Sequence, residues 1–210
     1  MKYRLIFSLL LACAAPVWAG AQKEEALSAS VATTMQRSIN DGARARLVFD
    51  RPEDGERWVQ EMSRRLARKI PDEFTRRYLL TAIHYESVRA GLDPQMVLGL
   101  IEVESGFRRY AISVAGARGL MQVMPFWVRS IGKDTHNLFD MHTNLRFGCT
   151  ILRHYIDIES GNLYRALGRY NGSLGKPEYP NLVLGAWRGK WSYSPLNTPA
   201  PTQVSYQVSK

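Results

Sequence analysis

Apolar residues return at helical spacing along most of this chain. In the clearest case they recur every four positions, with Arg and Glu between them, at Trp58, Met62, Leu66 and Ile70. An apolar stripe of this period is typical of an amphipathic helix with one buried face. Because Pro71 interrupts helical hydrogen bonding, the pattern predicts a helix that begins at residue 53 and ends at residue 70.

The same period and the usual start and stop residues predict further helices over residues 72–90, 93–104, 125–131, 140–159 and 162–170. In the first of these we expect four side chains to face inward, namely Phe74, Tyr78, Ile83 and Val88. A closing apolar segment follows at residues 180–191. The sequence has no strand-rich region or internal repeat, and we expect at most a small β-hairpin at residues 113–119. The predicted fold class is therefore mainly α.

Residues 93–104 predict a buried helix that ends at an acid. Asp93 is a suitable N-cap, Pro94 suits the first helical position, and Gly106 readily takes the left-handed conformation that closes a helix. Glu104 then lies at the negative end of the helix dipole among apolar neighbours, and both effects raise the pKa of a carboxyl group. A carboxyl that stays protonated near neutral pH suits a general acid. On position alone, a surface glutamate that happens to end a helix is the alternative.

The segment that follows carries a specific signature. Residue types and spacings agree over more than twenty positions, in the pieces Glu104-Ser105-Gly106-Phe107, Ala111 with Ser113, Gly116-Ala117, Gly119-Leu120-Met121-Gln122 and Met124-Pro125. Weaker pieces come later in the chain, at Asn144 with Gly148, at Ala166-Leu167 and at Tyr170-Asn171-Gly172. Together they resemble the soluble lytic transglycosylase family, the lysozyme-like enzymes that cleave peptidoglycan. The chain departs from the family at Gly172-Ser173, where Ala-Gly is usual.

The resemblance implies a single lysozyme-like catalytic domain with a long active-site loop. It also implies a route with one acid: Glu104 protonates the oxygen that links N-acetylmuramic acid to N-acetylglucosamine. The resulting carboxylate then takes a proton from the muramyl six-position hydroxyl, which closes onto the anomeric carbon. The product is a 1,6-anhydromuramyl end, and water is not consumed. No cofactor is implied.

Further site residues follow from the resemblance. Ser113 and Gln122 are suited to hydrogen-bonding the acetamido and hydroxyl groups of the sugar, and Asn171 is carried over with them as substrate-binding. Met121 and Met124 would form an apolar floor for a sugar face, although packing in the core is the alternative for both. Tyr170 would hydrogen-bond near the acid and orient it.

Three other functions stay open at this point. A lysozyme-like muramidase would share Glu104 but hydrolyse the bond with a second carboxylate. Glu102 points to the other side of the helix, whereas spacing leaves open Asp134, Asp140 and Asp157. An inert wall-binding module is the non-enzymatic alternative. A wall opener that serves a secretion or conjugation machine would use the same chemistry with a dedicated partner.

The distribution of charged and metal-ligating residues limits the kinds of partner and cofactor that we expect. The formal charge is +9, but the basic residues are scattered without a nucleic-acid recognition motif, so we expect only weak attraction to an anionic wall polymer. No close metal-binding pair is formed by the four histidines, so no metal site is expected. Cys149 lies among apolar residues, which is typical of a packed thiol. We expect a monomer that binds peptidoglycan glycan strands and no nucleic acid.

The ends of the chain predict export. Lys2 and Arg4 precede an apolar stretch at residues 5–17 and small residues up to Ala21, as in a secretory signal peptide at residues 1–21. An exported, periplasmic protein is therefore expected, with a lipoprotein anchored through Cys13 as the alternative. The predicted divisions that follow are a linker or loosely ordered segment at residues 22–52, the catalytic domain at residues 53–193 and a disordered tail at residues 194–210.

Overall fold

The computed structural model describes residues 22–194. Within this range there are eight α-helices, α1 (Ala29–Asn40), α2 (Pro52–Leu66), α3 (Glu73–Arg89), α4 (Pro94–Ser105), α5 (Phe126–Ile131), α6 (Met141–Ile158), α7 (Leu163–Asn171) and α8 (Glu178–Arg188). The mainly α fold class is confirmed. The predicted signal peptide with Cys13 and residues 195–210 of the predicted tail lie outside the described residues.

Helix α4 lies at the centre of the domain, and almost every face of it is buried. The Asp93 carboxylate accepts hydrogen bonds from the backbone of Gln95 and Met96, at 2.7 and 3.0 Å. Gly106 closes the helix in the left-handed conformation, with φ of 58°. Helix α8 packs so closely on α4 that a Cβ on Gly99 would be 3.0 Å from the backbone nitrogen of Trp187. The caps predicted from the sequence are therefore confirmed, and they place Glu104 in the last turn of α4.

The loop between α4 and α5 has two isolated antiparallel bridges, Ile112 with Arg118 and Arg118 with Val123. The side chain of Asn144, on α6, stabilises this loop through hydrogen bonds. Its Oδ1 accepts a hydrogen bond from the Met121 backbone N–H, and its Nδ2 donates to the carbonyls of Arg118 and Leu138, each at 2.8 Å. The bridges agree with the prediction of at most a small hairpin, and Asn144 explains how a loop without strands keeps its shape.

The N-terminal segment differs from its prediction. We expected residues 22–52 to be a linker or loosely ordered, but α1 packs on α5 and α6 and buries Met35 and Ile39. Arg89 of α3 donates hydrogen bonds to the carbonyl and hydroxyl of Ser38, at 3.0 and 2.9 Å. The apolar stripe of α1 is one residue wide within a run of Ala, Ser and Thr, which gives it a weak periodic signal.

The inward face of α3 was also predicted wrongly in part. Phe74 is 78% exposed, Tyr78 is 53% exposed and Val88 is 37% exposed. The rings of Phe74 and Tyr78 stack on each other with an interplanar angle of 2°. The buried face instead carries Leu79, Leu80 and Ile83. Both sets have helical spacing, and the packing of α2, α4 and α6 decides which of them is covered.

Candidate active site

Glu104, in the last turn of α4, is only 5% exposed. Its Oε1 accepts a hydrogen bond from the Tyr179 hydroxyl at 2.5 Å. Within the described part of the chain, its Oε2 is buried and has no hydrogen-bond partner. Burial raises the pKa of Glu104 to about 8, although the hydrogen bond from Tyr179 acts in the opposite direction. At neutral pH the carboxyl is therefore mostly protonated and has one oxygen free for a ligand.

Tyr179 determines which oxygen is free. It is buried in the first turn of α8, and burial together with the Glu104 charge raises the pKa of Tyr179 well above its ordinary value. The hydroxyl therefore stays protonated and acts as a donor. Because Oε1 accepts this hydrogen bond, the proton of the neutral carboxyl belongs on Oε2. The arrangement can deliver that proton to an acceptor at Oε2.

Sequence reasoning did not identify Tyr179. It assigned the orienting role to Tyr170, but the Tyr170 hydroxyl donates to the Met121 carbonyl at 2.7 Å. Tyr170 is nevertheless close to the acid, because the Glu104 charge, after burial, raises the pKa of Tyr170. Tyr179 is 75 positions from Glu104 in the chain, and only the packing of α8 on α4 brings it there.

The other predicted site residues have different surroundings. Ser113 is half-buried, and its Oγ accepts a hydrogen bond from the Ala117 backbone at 3.1 Å within the loop. The Gln122 side-chain amide donates to the Gly119 carbonyl at 3.0 Å and to the Ala111 carbonyl at 3.2 Å, so it braces the same loop.

The two predicted methionines separate. Met121 is fully buried, and its sulfur lies 3.9 Å from the Cys149 Sγ. A Cβ on Gly148 would be 2.4 Å from the Met121 sulfur. Met121 is therefore core, which was the alternative for this residue, whereas Met124 is only partly buried. Asn171 ends α7 and is buried. The turn after it is closed by Gly172, with φ of 80°.

Three of the other candidate carboxylates have partners of their own, and the fourth, Asp134, is exposed. Burial would raise the pKa of Glu102, but hydrogen bonds from Lys190 and Trp191 outweigh it and lower that pKa. These bonds, at 2.7 and 2.6 Å, agree with the prediction that Glu102 points away from Glu104. Asp140 caps α6 through the Thr143 backbone at 2.9 Å, and Asp157 pairs with Arg153 at 2.6 Å.

In residues 22–194, no group of three or more His, Cys, Asp or Glu side chains is placed to hold a metal ion. In the same range, no helix combines the length and apolar character needed to cross a bilayer.

The site thus combines a buried, neutral carboxyl at the end of a central helix with the braced loop that follows it, within a mainly α fold. Residues 81–179 match the family described as the transglycosylase SLT domain. The resemblance identified from the sequence is therefore confirmed over these residues.

Several named proteins are similar to this chain. Membrane-bound lytic murein transglycosylase C of Actinobacillus pleuropneumoniae serotype 5b (strain L20) is 36% identical over 99 residues, which cover 46% of this chain and 26% of that protein. The transglycosylase of Enterobacteria phage PRD1 is 33% identical over 93 residues, which cover 44% of this chain and 34% of that protein. The chain thus matches only about a quarter to a third of these relatives' length.

Among solved structures, the 70 kDa soluble lytic transglycosylase of Escherichia coli is 21% identical to this chain with a TM-score of 0.41. The match covers 65% of this chain and 24% of that one.

Proposed function

We propose that this protein is a peptidoglycan lytic transglycosylase in which Glu104 is both general acid and general base. One observation carries the proposal: Glu104 is a buried carboxyl with a pKa of about 8 and a free Oε2. Such a group is protonated at neutral pH and is placed to donate. The SLT domain around it and the names of its relatives support peptidoglycan as the substrate.

In the first step, the proton on Glu104 Oε2 moves to the oxygen between N-acetylmuramic acid and N-acetylglucosamine as the bond from that oxygen to the anomeric carbon breaks. Glu104 becomes a carboxylate, and the hydrogen bond from Tyr179 stabilises its charge. In the second step, Oε2 accepts the proton of the muramyl six-position hydroxyl, whose oxygen bonds to the anomeric carbon. Glu104 returns to its neutral form, and no water enters the balance.

Burial contributes to both steps. It disfavours the carboxylate, so Glu104 holds a proton before the first step and readily recovers one in the second. The attacking hydroxyl is tethered to the reacting ring, which gives it a high effective concentration relative to water. One carboxyl therefore suffices for both proton transfers.

Substrate contacts belong to the same proposal. Ser113, Gln122, Met124, Tyr170 and Asn171 remain the proposed substrate-binding residues, while the buried position of Met121 favours a packing role. We propose that the protein acts as a monomer, binds peptidoglycan glycan strands, and uses neither nucleic acid nor a cofactor. A dedicated secretion or conjugation machine is an alternative setting. We propose an exported, periplasmic location, with anchoring through Cys13 as the alternative.

A muramidase of the same fold is the second candidate, and the product distinguishes the two. Purified sacculi are digested, and the muropeptides are analysed by mass spectrometry. We expect 1,6-anhydromuramyl ends, each lighter by one water than the matching hydrolysis product. We also expect Glu104→Gln to remove activity, whereas Glu178→Gln, at an exposed position beside Tyr179, retains it. Mainly reducing ends would make the protein a muramidase, and full activity of Glu104→Gln would remove Glu104 from the mechanism.

A further inference from the structure

Gln22 is buried beside the active-site loop. The residue is only 4% exposed, although the four residues that follow it are exposed. The side-chain Oε1 accepts hydrogen bonds from the Met124 backbone N–H at 3.3 Å and from the Trp127 indole N–H at 3.0 Å. The side-chain Nε2 donates to the Gln122 carbonyl at 3.4 Å. The carboxamide thus engages two backbone groups of the segment proposed to contact substrate.

This carboxamide is also close to the acid. The Gln22 side chain forms a hydrogen bond with the Tyr170 hydroxyl. Burial and the nearby charge of Glu104 raise the pKa of Tyr170, whereas this hydrogen bond lowers it. Tyr170 donates to the Met121 carbonyl, within the same loop. The Gln22 side chain therefore lies one tyrosine away from the proposed catalytic carboxyl.

Gln22 belongs to residues 22–27, which have no helical structure and which we call the N-terminal strap. Two ion pairs at the surface hold the strap, Glu24 with Arg129 of α5 at 3.7 Å and Glu25 with Arg169 of α7 at 2.9 Å. Surface ion pairs contribute little to stability, and hydrogen bonds longer than about 3.2 Å are weak. The ion pairs and the two longer hydrogen bonds of Gln22 are therefore easily exchanged, which leaves the 3.0 Å bond from Trp127 and the packing of Leu27 as the firmer contacts of the strap.

The Gln22 side chain carries the same hydrogen-bonding groups as an N-acetylated sugar. A glutamine carboxamide presents a carbonyl acceptor and an N–H donor. The acetamido group of an N-acetylated sugar presents the same pair. We propose that Gln22 is an intramolecular plug that competes with an acetamido group of the glycan for the Met124 N–H and the Gln122 carbonyl. The inference rests on the proposed function for the identity of the glycan.

This proposal predicts that the plug affects KM and leaves kcat unchanged. A glycan binds only to the fraction of molecules in which the strap has left, so the apparent KM is raised by the inverse of that fraction. Once the glycan is bound, the plug is already displaced and kcat does not change. A side chain that merely positioned the loop would have the opposite effect, because its removal would lower kcat.

The test compares Gln22→Ala with Gln36→Ala, which alters an exposed glutamine on α1. On soluble glycan fragments we expect Gln22→Ala to lower KM by about three- to tenfold at unchanged kcat, and Gln36→Ala to change neither. Glu25→Gln releases the strap without altering the buried carboxamide, and we expect a smaller decrease in KM. If kcat falls in Gln22→Ala, or if KM stays the same in both strap variants, the plug is wrong. Should Gln22→Ala fail to fold, Glu25→Gln decides alone.

A second measurement does not depend on cleavage. The indole N–H resonance of Trp127, assigned with Trp127→Phe, reports the hydrogen bond to Gln22. We expect a tetramer of N-acetylglucosamine to shift this resonance in the wild type towards its position in Gln22→Ala. If the tetramer binds without moving the resonance, the plug is overturned while the proposed function stands. If no variant binds or cleaves any N-acetylated glycan, the proposed function falls and the plug falls with it.

Discussion

At the scale of single residues, two opposing effects act on one carboxyl. Burial raises the pKa of Glu104, and the hydrogen bond from Tyr179 lowers it. The first effect is larger, so the resulting pKa is about 8. Glu104 can therefore act as an acid at neutral pH, while Tyr179 fixes its orientation and supports its charged form.

The pH profile tests this balance. We expect wild-type activity to fall as pH rises through about 8, because the acid ionises there. Tyr179→Phe removes the hydrogen bond that favours the carboxylate, so the alkaline limb should move to higher pH and the rate at neutral pH should drop. In the control, Tyr164→Phe removes a hydroxyl that is hydrogen-bonded to Asn181 at 3.2 Å, and we expect no shift of the limb. An unmoved limb in a folded Tyr179→Phe would contradict the pairing.

The same pKa has a consequence for stability. The pKa of Glu104 is higher in the folded protein than the ordinary value of 4.5, so its contribution to stability is complete below pH 4.5 and is lost as pH rises towards 8. Glu104→Gln has no proton to lose. We expect it to be more stable than the wild type by up to about 3 kcal/mol at pH 7 and by little at pH 4, since one pKa unit is worth about 1.4 kcal/mol. Urea unfolding at both pH values measures the difference, and an equal gain at both would exclude the pKa as its cause.

At the scale of elements, α6 supports the loop that faces Glu104. Asn144 supplies three hydrogen bonds to the loop and its flank, and Gly148 leaves the space that Met121 fills. Both residues are one turn apart on the same face of α6. The shape of the loop therefore depends on two neighbouring features of α6, the hydrogen bonds of Asn144 and the hollow that Gly148 leaves for the Met121 side chain.

Filling the hollow should disturb the loop. In Gly148→Ala the new Cβ would lie 2.4 Å from the Met121 sulfur, and we expect a loss of about 1–3 kcal/mol with reduced activity. Gly185→Ala is the matched control, because a Cβ on this helical glycine meets nothing within 4 Å. Helix propensity predicts that it gains up to about 1 kcal/mol. Thermal unfolding and sacculus digestion would measure both, and equal behaviour of the two variants would argue against the packing explanation.

At the scale of the whole molecule, residues 22–194 bring four distant segments around one site. The loop after α4 carries the signature, α7 and α8 supply Tyr170 and Tyr179, and the N-terminal strap supplies Gln22. Of the three aspartates that spacing left open, Asp140 caps a helix, Asp157 pairs with an arginine and Asp134 is exposed.

A reaction with one carboxyl makes those aspartates dispensable. We expect each of three single variants to retain most of the wild-type activity, namely Asp134→Asn, Asp140→Asn and Asp157→Asn. The α6 cap should survive in Asp140→Asn, because asparagine caps about as well as aspartate. Anhydromuropeptide formation is the measurement. Loss of activity in one folded variant, together with reducing ends, would indicate a second catalytic carboxylate.

Local order determined the features that the sequence predicted well. Three features follow from neighbouring residues, because helix start, stop and burial patterns are short-range. They are the caps at Asp93 and Gly106, the position of Glu104 at the end of a buried helix, and the absence of strands between residues 22 and 194. The raised pKa of Glu104 also followed from its local surroundings. The bulk of the fold and the buried position of Glu104 at the end of α4 were therefore readable from the chain.

Only tertiary packing decided the partners. Tyr170 and Tyr179 are both tyrosines in the last third of the chain, and periodicity cannot tell which one reaches Glu104. The same limit applies to Phe74, which has the spacing of a core residue but is exposed, and to Gln22, which a distant loop buries. A helical pattern specifies which residues share a face, whereas the approach of distant segments determines what that face meets.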